Sequence, residues 1–369
     1  MADGRVRSRR SAAAAPVVSA TPARSVPARP DDVVVVGQGG VVAAMVSWFS
    51  RPVADGPAPW IVRQLDEVPA VEPQVALLGA DVVVLVLHDG DFASYASTPA
   101  VERRSSGVAH TQRVLAAARA VGAKHVVVVS SAMVHGATAD RDLITDDAAL
   151  ITVDDDGLVG DLLAVEAVVA RVRRRRTPLV TVLRPAALVG PGVDTLITRH
   201  FEAPRLLTVR GAVREWQFVH VDDLASAAEH AVRHGLTGAL TVGAIDTLSP
   251  AQVEASSGLR RIELAAVTAF GTAERLHRVG VLPTPSSELA YVVYPWTVAS
   301  DRLRASGWVS AWSSDACLDA LLDGAGRRLT VVGRRVGPRD AAALGAAGAA
   351  VAFLGTAAIL RQARARRRG

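Results

Sequence analysis

At 369 residues, half of them apolar, the chain is long enough for one large domain with a smaller lobe and a substantial core. A lone cysteine, Cys317, excludes an internal disulfide and a cysteine metal cluster. The formal net charge of +5 points toward nucleic acid, but residues 1–30 and 361–369 carry +5 each, which leaves residues 31–360 at −5, so no nucleic acid is expected on the folded part.

Residues 1–30, rich in Ala, Pro, Ser and Arg, read as a disordered basic leader. From Asp31 the pattern changes. Val33–Val36 is a four-valine run that reads as a buried strand, followed by a helix from Val41 to Phe49. Further strands are expected at Trp60–Leu65, Val82–Leu87, Val126–Val129 and Leu179–Leu183, with helices at Val108–Val121 and Leu158–Arg176. Strands alternating with helices give an α/β fold, a Rossmann-type doubly wound parallel sheet over residues 31–190.

After residue 190 the alternation loosens. Val219–Val221, a helix from Asp222 or Asp223 to His234, and Leu240–Val242 suggest a smaller mixed lobe, residues 191–330, interleaved with the first domain. Residues 331–369 read as a hydrophobic Ala/Gly-rich helix and a basic tail. Positions 341–360 carry no charge over a length that can cross a bilayer, but ten Ala and three Gly make insertion marginal. A membrane-associated helix and an Ala/Gly helix packed on a partner both stay open. The chain is read as cytoplasmic, with 341–360 able to hold it to the inner face of the cell membrane.

Gly37-Gln38-Gly39-Gly40 lies between the valine strand and the first helix, the setting a dinucleotide fingerprint needs. Glycines there let the chain turn sharply and bring backbone N–H groups to a pyrophosphate at the helix N-terminus. Gly37, Gly40 and Ala43 fit the spacing GxxGxxG with alanine third. Asp66, 29 residues past Gly37, closes the second strand as the acid for the adenosine ribose, which favours NAD. Arg63 nearby leaves NADP open.

Four stretches, in order, resemble the NAD-dependent epimerase/dehydratase family of extended short-chain dehydrogenases: VVVVSSAMVHG (Val126–Gly136), LRPAALVGPG (Leu183–Gly192), FVHVDDLA (Phe218–Ala225) and LTVG (residues 240–243). The resemblance spans roughly residues 31–325. LAYVVY (Leu289–Tyr294) is also similar to a stretch in actinobacterial proteins labelled UDP-glucose 4-epimerase-like. The resemblance implies NAD as cofactor, a nucleotide or nucleotide-sugar ligand and a helical homodimer interface. It places Ser130, Arg184 and Pro185 with Gly37, Gly39, Gly40 and Asp66 at the cofactor, Ser131 on a sugar hydroxyl, and His220 and Asp222 at the substrate.

The family's acid–base pair, a Tyr and a Lys in YxxxK, is missing. Aligning Glu166 with the acid of that helix puts Leu158 at Tyr and Leu162 at Lys. Lys124 is the chain's only lysine, and none of Tyr95, Tyr291 and Tyr294 begins a YxxxK. The segment resembling NVxGT reads Gly107-Val108-Ala109-His110-Thr111, and the VYG tyrosine is His135. Two readings follow. In one, an epimerase or oxidoreductase uses a substitute base, with His135 first, Asp161 next, and Tyr291 or Tyr294 reaching in from the second lobe. In the other, a non-catalytic nucleotide-binding or membrane-tethered scaffold keeps the fold without the chemistry.

Overall fold

The computed structural model describes residues 31–52, 60–88, 98–153, 156–173, 177–280, 282 and 284–335, with side chains to residue 325. The expectations for residues 1–30 and 341–360 lie outside these. Among the described residues, no helix is long and apolar enough to cross a membrane.

Six parallel strands form the central sheet: β1 (Asp31–Val36), β2 (Trp60–Leu65), β3 (Val82–Val86), β4 (His125–Val129), β5 (Leu179–Pro185) and β9 (Gly238–Val242), in the order β2-β1-β3-β4-β5-β9. Val33 pairs with Val62 on one side and Val82 on the other, which fixes the register at the centre. The valine runs are continuous because the central strands are covered on both faces. Val33 and Val35 pack with α1 (Gly39–Phe49) and α6 (Val221–Arg233), through Met45, Phe49 and Leu224. Val34 and Val36 face the opposite layer, where α3 (Ala100–Ala120) and α4 (Leu158–Arg173) supply Val114, Leu115, Val165 and Val169. Each such valine contributes roughly 1.5–3 kcal/mol of transfer free energy.

Two elements depart from the sequence expectation. The strand at Leu240–Val242, expected in the smaller lobe, is β9 and pairs with β5 in the main sheet. Chain adjacency hides this, since the pairing joins residues more than fifty positions apart. Helix α3 begins at Ala100 rather than Val108. Its first two turns read Glu102-Arg103-Arg104-Ser105-Ser106, without apolar periodicity, because Arg103 and Arg104 are held by Asp161 instead of by packing.

The second lobe carries two short parallel pairs, β6 (Ala187–Val189) with β8 (Phe218–His220), and β7 (Leu206–Val209) with β10 (Arg261–Leu264). Phe201, on α5 (Leu196–Glu202), meets Trp216 at 5.0 Å between ring centroids, and Trp216 stacks on Phe218 at 5.8 Å. Helix α11 (Ser314–Arg335) covers this cluster with Cys317 and Leu318.

Candidate functional site

Strand order reverses between β1 and β3, and the crevice beyond the carboxyl ends of these strands is where open α/β sheets bind ligands. The Gly37 turn sits there. Gly37 and Gly39 hold φ of +134° and +85°, which side chains with a Cβ avoid, and the Gly37 N–H donates to Leu65 O at 2.8 Å, tying the turn to β2. Gly40 is required for a different reason: a Cβ there would stand 2.4 Å from Pro191 O and 2.6 Å from Gly192 C. Helix α1 starts with no side-chain cap from Gln38 and no acid in its first turn, so its amino end presents N–H groups and a partial positive charge to the crevice.

A cavity of about 290 Å³ opens at this point. Gly37, Gln38 and Asp66 form part of its wall, and His88, Leu158 and Leu162 another part; Arg103, Arg104 and His110 come from α3. Asp66 is exposed just past the end of β2. Arg63 is committed elsewhere: its Nε donates to Asp32 Oδ1 at 3.3 Å and its Nη2 to Leu78 O at 2.9 Å.

Helix α4 forms one wall of the cavity. Leu158, Asp161, Leu162 and Val165 line the cavity, while Glu166 turns the other way into a buried network. Asp161 accepts from Arg103 Nε and, at 3.0 Å, from Arg104 Nε, so its carboxylate is an ion-pair hub. His110 is half-buried, accepts from Val68 N at 3.2 Å, and has its pKa pushed down by burial first. Lys124 sits at the opposite end of the sheet, 2.7 Å from Asp31 and 3.1 Å from Asp81.

A second cavity, about 60 Å³, adjoins the first, and His88 and Leu158 border both. Ser130, Ser131, Met133, Ala187, Ile197 and Trp296 are among its lining residues. Ser131 caps the short turn Ala132–His135 by accepting from Met133 N at 3.2 Å. Glu288, buried in the same wall, accepts from Leu158 N and so caps α4.

Ser130, Glu166, Arg184 and His135 form one buried chain. Ser130 Oγ donates to Glu166 Oε1 at 2.6 Å, Arg184 Nη2 to Glu166 Oε2 at 2.5 Å, and Arg184 Nη1 lies 3.3 Å from His135 Nε2. His135 Nδ1 lies 3.1 Å from Ala149 O. A carbonyl only accepts, so Nδ1 carries the proton and Nε2 accepts from Arg184. Burial, then the Arg184 charge, hold the His135 pKa down. His135, Arg184 and Pro185 line neither cavity.

His220 and Asp222 also stand apart from both. His220 caps α6 by accepting from Asp222 N at 3.2 Å and stacks on Trp312 at 4.0 Å. Asp222 Oδ2 lies 3.8 Å from Arg51 Nη2. Tyr291 is buried and donates its hydroxyl to Met133 O at 2.7 Å, and Tyr294 stacks on Phe270. The residue that sequence reading missed is His88. Its signal was position: it follows β3 by two residues, at the carboxyl end of a central strand.

Residues 60–243 match the sequence model of the NAD dependent epimerase/dehydratase family. The chain belongs to this family. Relatives at 28% identity over 242 residues are uncharacterized proteins of Mycobacterium tuberculosis and Mycobacterium bovis; the alignment covers 64% of this chain and 64% of each relative. The chain thus spans somewhat under two thirds of the length of the curated relatives it matches. Among solved structures, MoeE5 in complex with UDP-glucuronic acid and NAD superposes with a TM-score of 0.60 at 18% identity, over 81% of this chain and 99% of that one. A UDP-glucose 4-epimerase from Thermotoga maritima with UDP-glucose gives 0.57 at 12% identity, over 81% and 99%. At these identities the likeness establishes the family's Rossmann-type fold.

Proposed function

We propose that the chain binds NAD in the switch-point cavity and a nucleotide sugar in the adjoining cavity beside Ser131. One observation carries the reading: an uncapped helix amino end, glycines that admit no Cβ, and the exposed Asp66 meet at one crevice. The N–H groups at Gly39 and Gly40 bind the pyrophosphate, and Asp66 accepts from the adenosine ribose hydroxyls. Arg63, bound to Asp32 and Leu78, does not reach a 2′-phosphate, which favours NAD over NADP. MoeE5 with UDP-glucuronic acid and NAD supports the same pair of ligands on this fold.

When bound, a nicotinamide accepts or donates a hydride. Around it, Leu158 and Leu162 exclude water but offer neither a proton acceptor nor an ammonium. Ser131 orients a substrate hydroxyl. Of the two histidines near the second cavity, His88 borders both cavities, whereas His135 lines neither. His88 is therefore the one placed to accept a proton from a bound substrate.

The test is titration of NAD(H) and NADP(H), then turnover with UDP-sugars. The reading expects NAD binding, and epimer formation or cofactor reduction that falls in Ser131→Ala and His88→Gln while NAD affinity holds. Binding without turnover of any UDP-sugar would leave only the nucleotide-binding part of the reading standing. Absence of dinucleotide binding would sink it.

A further inference from the structure

The segment that carries Asp66 leaves the sheet where β2 ends, and a different element holds it in place. Val68, two residues on, is fully buried in the same apolar cluster as Val114 and Leu115 of α3. Helix α3 also takes both backbone polar groups of Val68. The Val68 N–H donates to His110 Nε2 at 3.2 Å, and Arg113 Nε donates to Val68 O at 3.3 Å. Arg113 Nη2 donates to the neighbouring Glu67 as well. His110 and Arg113 stand three residues apart, on one face of the helix. His110 occupies the place of the glycine in NVxGT, so this hold uses a side chain that the motif lacks.

The two holds respond differently to protons. A guanidinium donates at any pH, whereas an imidazole nitrogen accepts only while it is unprotonated. Because Val68 N is a donor, Nε2 of His110 carries no proton. Burial is the main influence on His110 and lowers its pKa; the Glu67 carboxylate raises it and the Arg113 charge lowers it. The other charged or titratable groups lining the cavity with it are Asp66, His88, Arg103, Arg104 and Asp161, and Asp161 is paired with both arginines. Once protonated, Nε2 points a second donor at the Val68 N–H, and the contact turns repulsive.

We propose that His110 is a positioning residue for the dinucleotide: by accepting from Val68 N it fixes the Asp66 segment at the cavity wall, and cofactor affinity falls when this histidine gains a proton. The role rests on the dinucleotide reading of the cavity and adds a pH control to that site. Its sign is diagnostic. The neutral ring makes the contact, so affinity is full above the pKa of His110 and is lost as pH falls through it. A histidine that touched the pyrophosphate directly would act the opposite way, since its proton adds an attracting cation.

The test is calorimetric titration of NAD into the full chain from pH 8 to 5 at constant ionic strength, with amide hydrogen exchange of the ligand-free chain alongside. Affinity is expected to fall roughly threefold or more between pH 7.5 and 5. His110→Gln offers a carbonyl oxygen that accepts at every pH, so it should match the parent at pH 7.5 and show a flat profile. His110→Ala removes the acceptor. It should bind about fivefold more weakly at pH 7.5, the worth of one hydrogen bond, and exchange the Val68 amide faster than the parent and His110→Gln. Affinity that rises on acidification, or Val68 exchange indifferent to His110→Ala, overturns the role. A slope that persists in His110→Gln belongs to His88, the other histidine of the cavity, and overturns it too. No NAD binding at any pH, with Val68 exchange slow in the parent and fast in His110→Ala, sinks the dinucleotide reading and with it the cofactor role, leaving His110 only to hold the segment.

Discussion

Leu158 and Leu162 stand one helical turn apart on α4 and line the same wall of the switch-point cavity. The resemblance puts the family's tyrosine and lysine at these two positions, and neither leucine side chain can exchange a proton. Asp161 between them is turned to Arg103 and Arg104 of α3.

If these positions are the equivalents of the missing pair, restoring the pair should be felt at the cofactor. The double variant Leu158→Tyr, Leu162→Lys is expected to bind NAD roughly tenfold more tightly, since a hydrogen bond to a charged group is worth about 1.5–3 kcal/mol. Fluorescence titration of parent and variant measures this; unchanged affinity would place the two leucines away from the nicotinamide ribose.

Asp66 and Arg63 should behave differently although they lie three residues apart. Asp66→Leu removes the ribose acceptor and is expected to weaken NAD binding by about tenfold, one charge-assisted hydrogen bond. Arg63→Ala should leave the preference for NAD over NADP unchanged, because Arg63 is spent on Asp32 and Leu78. Side-by-side titrations of both cofactors decide it, and a shift toward NAD in Arg63→Ala would contradict the placement.

The Ser130–Glu166–Arg184 network should act as a structural unit. Glu166→Gln leaves Arg184 buried without its counter-charge, and loss of about 3–5 kcal/mol is expected in urea denaturation. Glu166→Leu combined with Arg184→Met should lose less than Glu166→Gln alone, since the pair is removed together. A double variant as unstable as the single one would mean that packing, not charge, sets the cost.

Acid should weaken the fold through His125. It is buried on β4, its Nε2 is 2.8 Å from Thr181 Oγ1, and burial lowers its pKa to about 4. The fold accepts the neutral ring, so the unfolded chain binds the extra proton below its own pKa of about 6.5. This contribution is full above that pH and is lost as pH falls through about 4, at most about 3 kcal/mol. Urea midpoints measured from pH 7.5 to 4 should fall less steeply in His125→Gln than in the parent; parallel curves would contradict the assignment.

Much of the fold was legible because buried parallel strands write themselves as valine runs, and because a turn opened by Gly37 tolerates few other residues. Missing groups were equally legible: a chain with one lysine cannot hide a YxxxK. What the sequence concealed was pairing across distance. Nothing local says that Gly238–Val242 returns to the main sheet, or that Asp161 meets Arg103 and Arg104. His135, at the position of the family tyrosine, looked like a substitute base, yet its two nitrogens are occupied by Arg184 and Ala149. His88, with no motif around it, borders both cavities.

The central claim is that the Gly37 turn at the head of the sheet holds a dinucleotide, and calorimetric titration of NAD into the full chain tests it most directly. The account predicts saturable binding at one site per chain, weakened by Asp66→Leu. No saturable binding of NAD or NADP, or binding indifferent to Asp66→Leu, would contradict it.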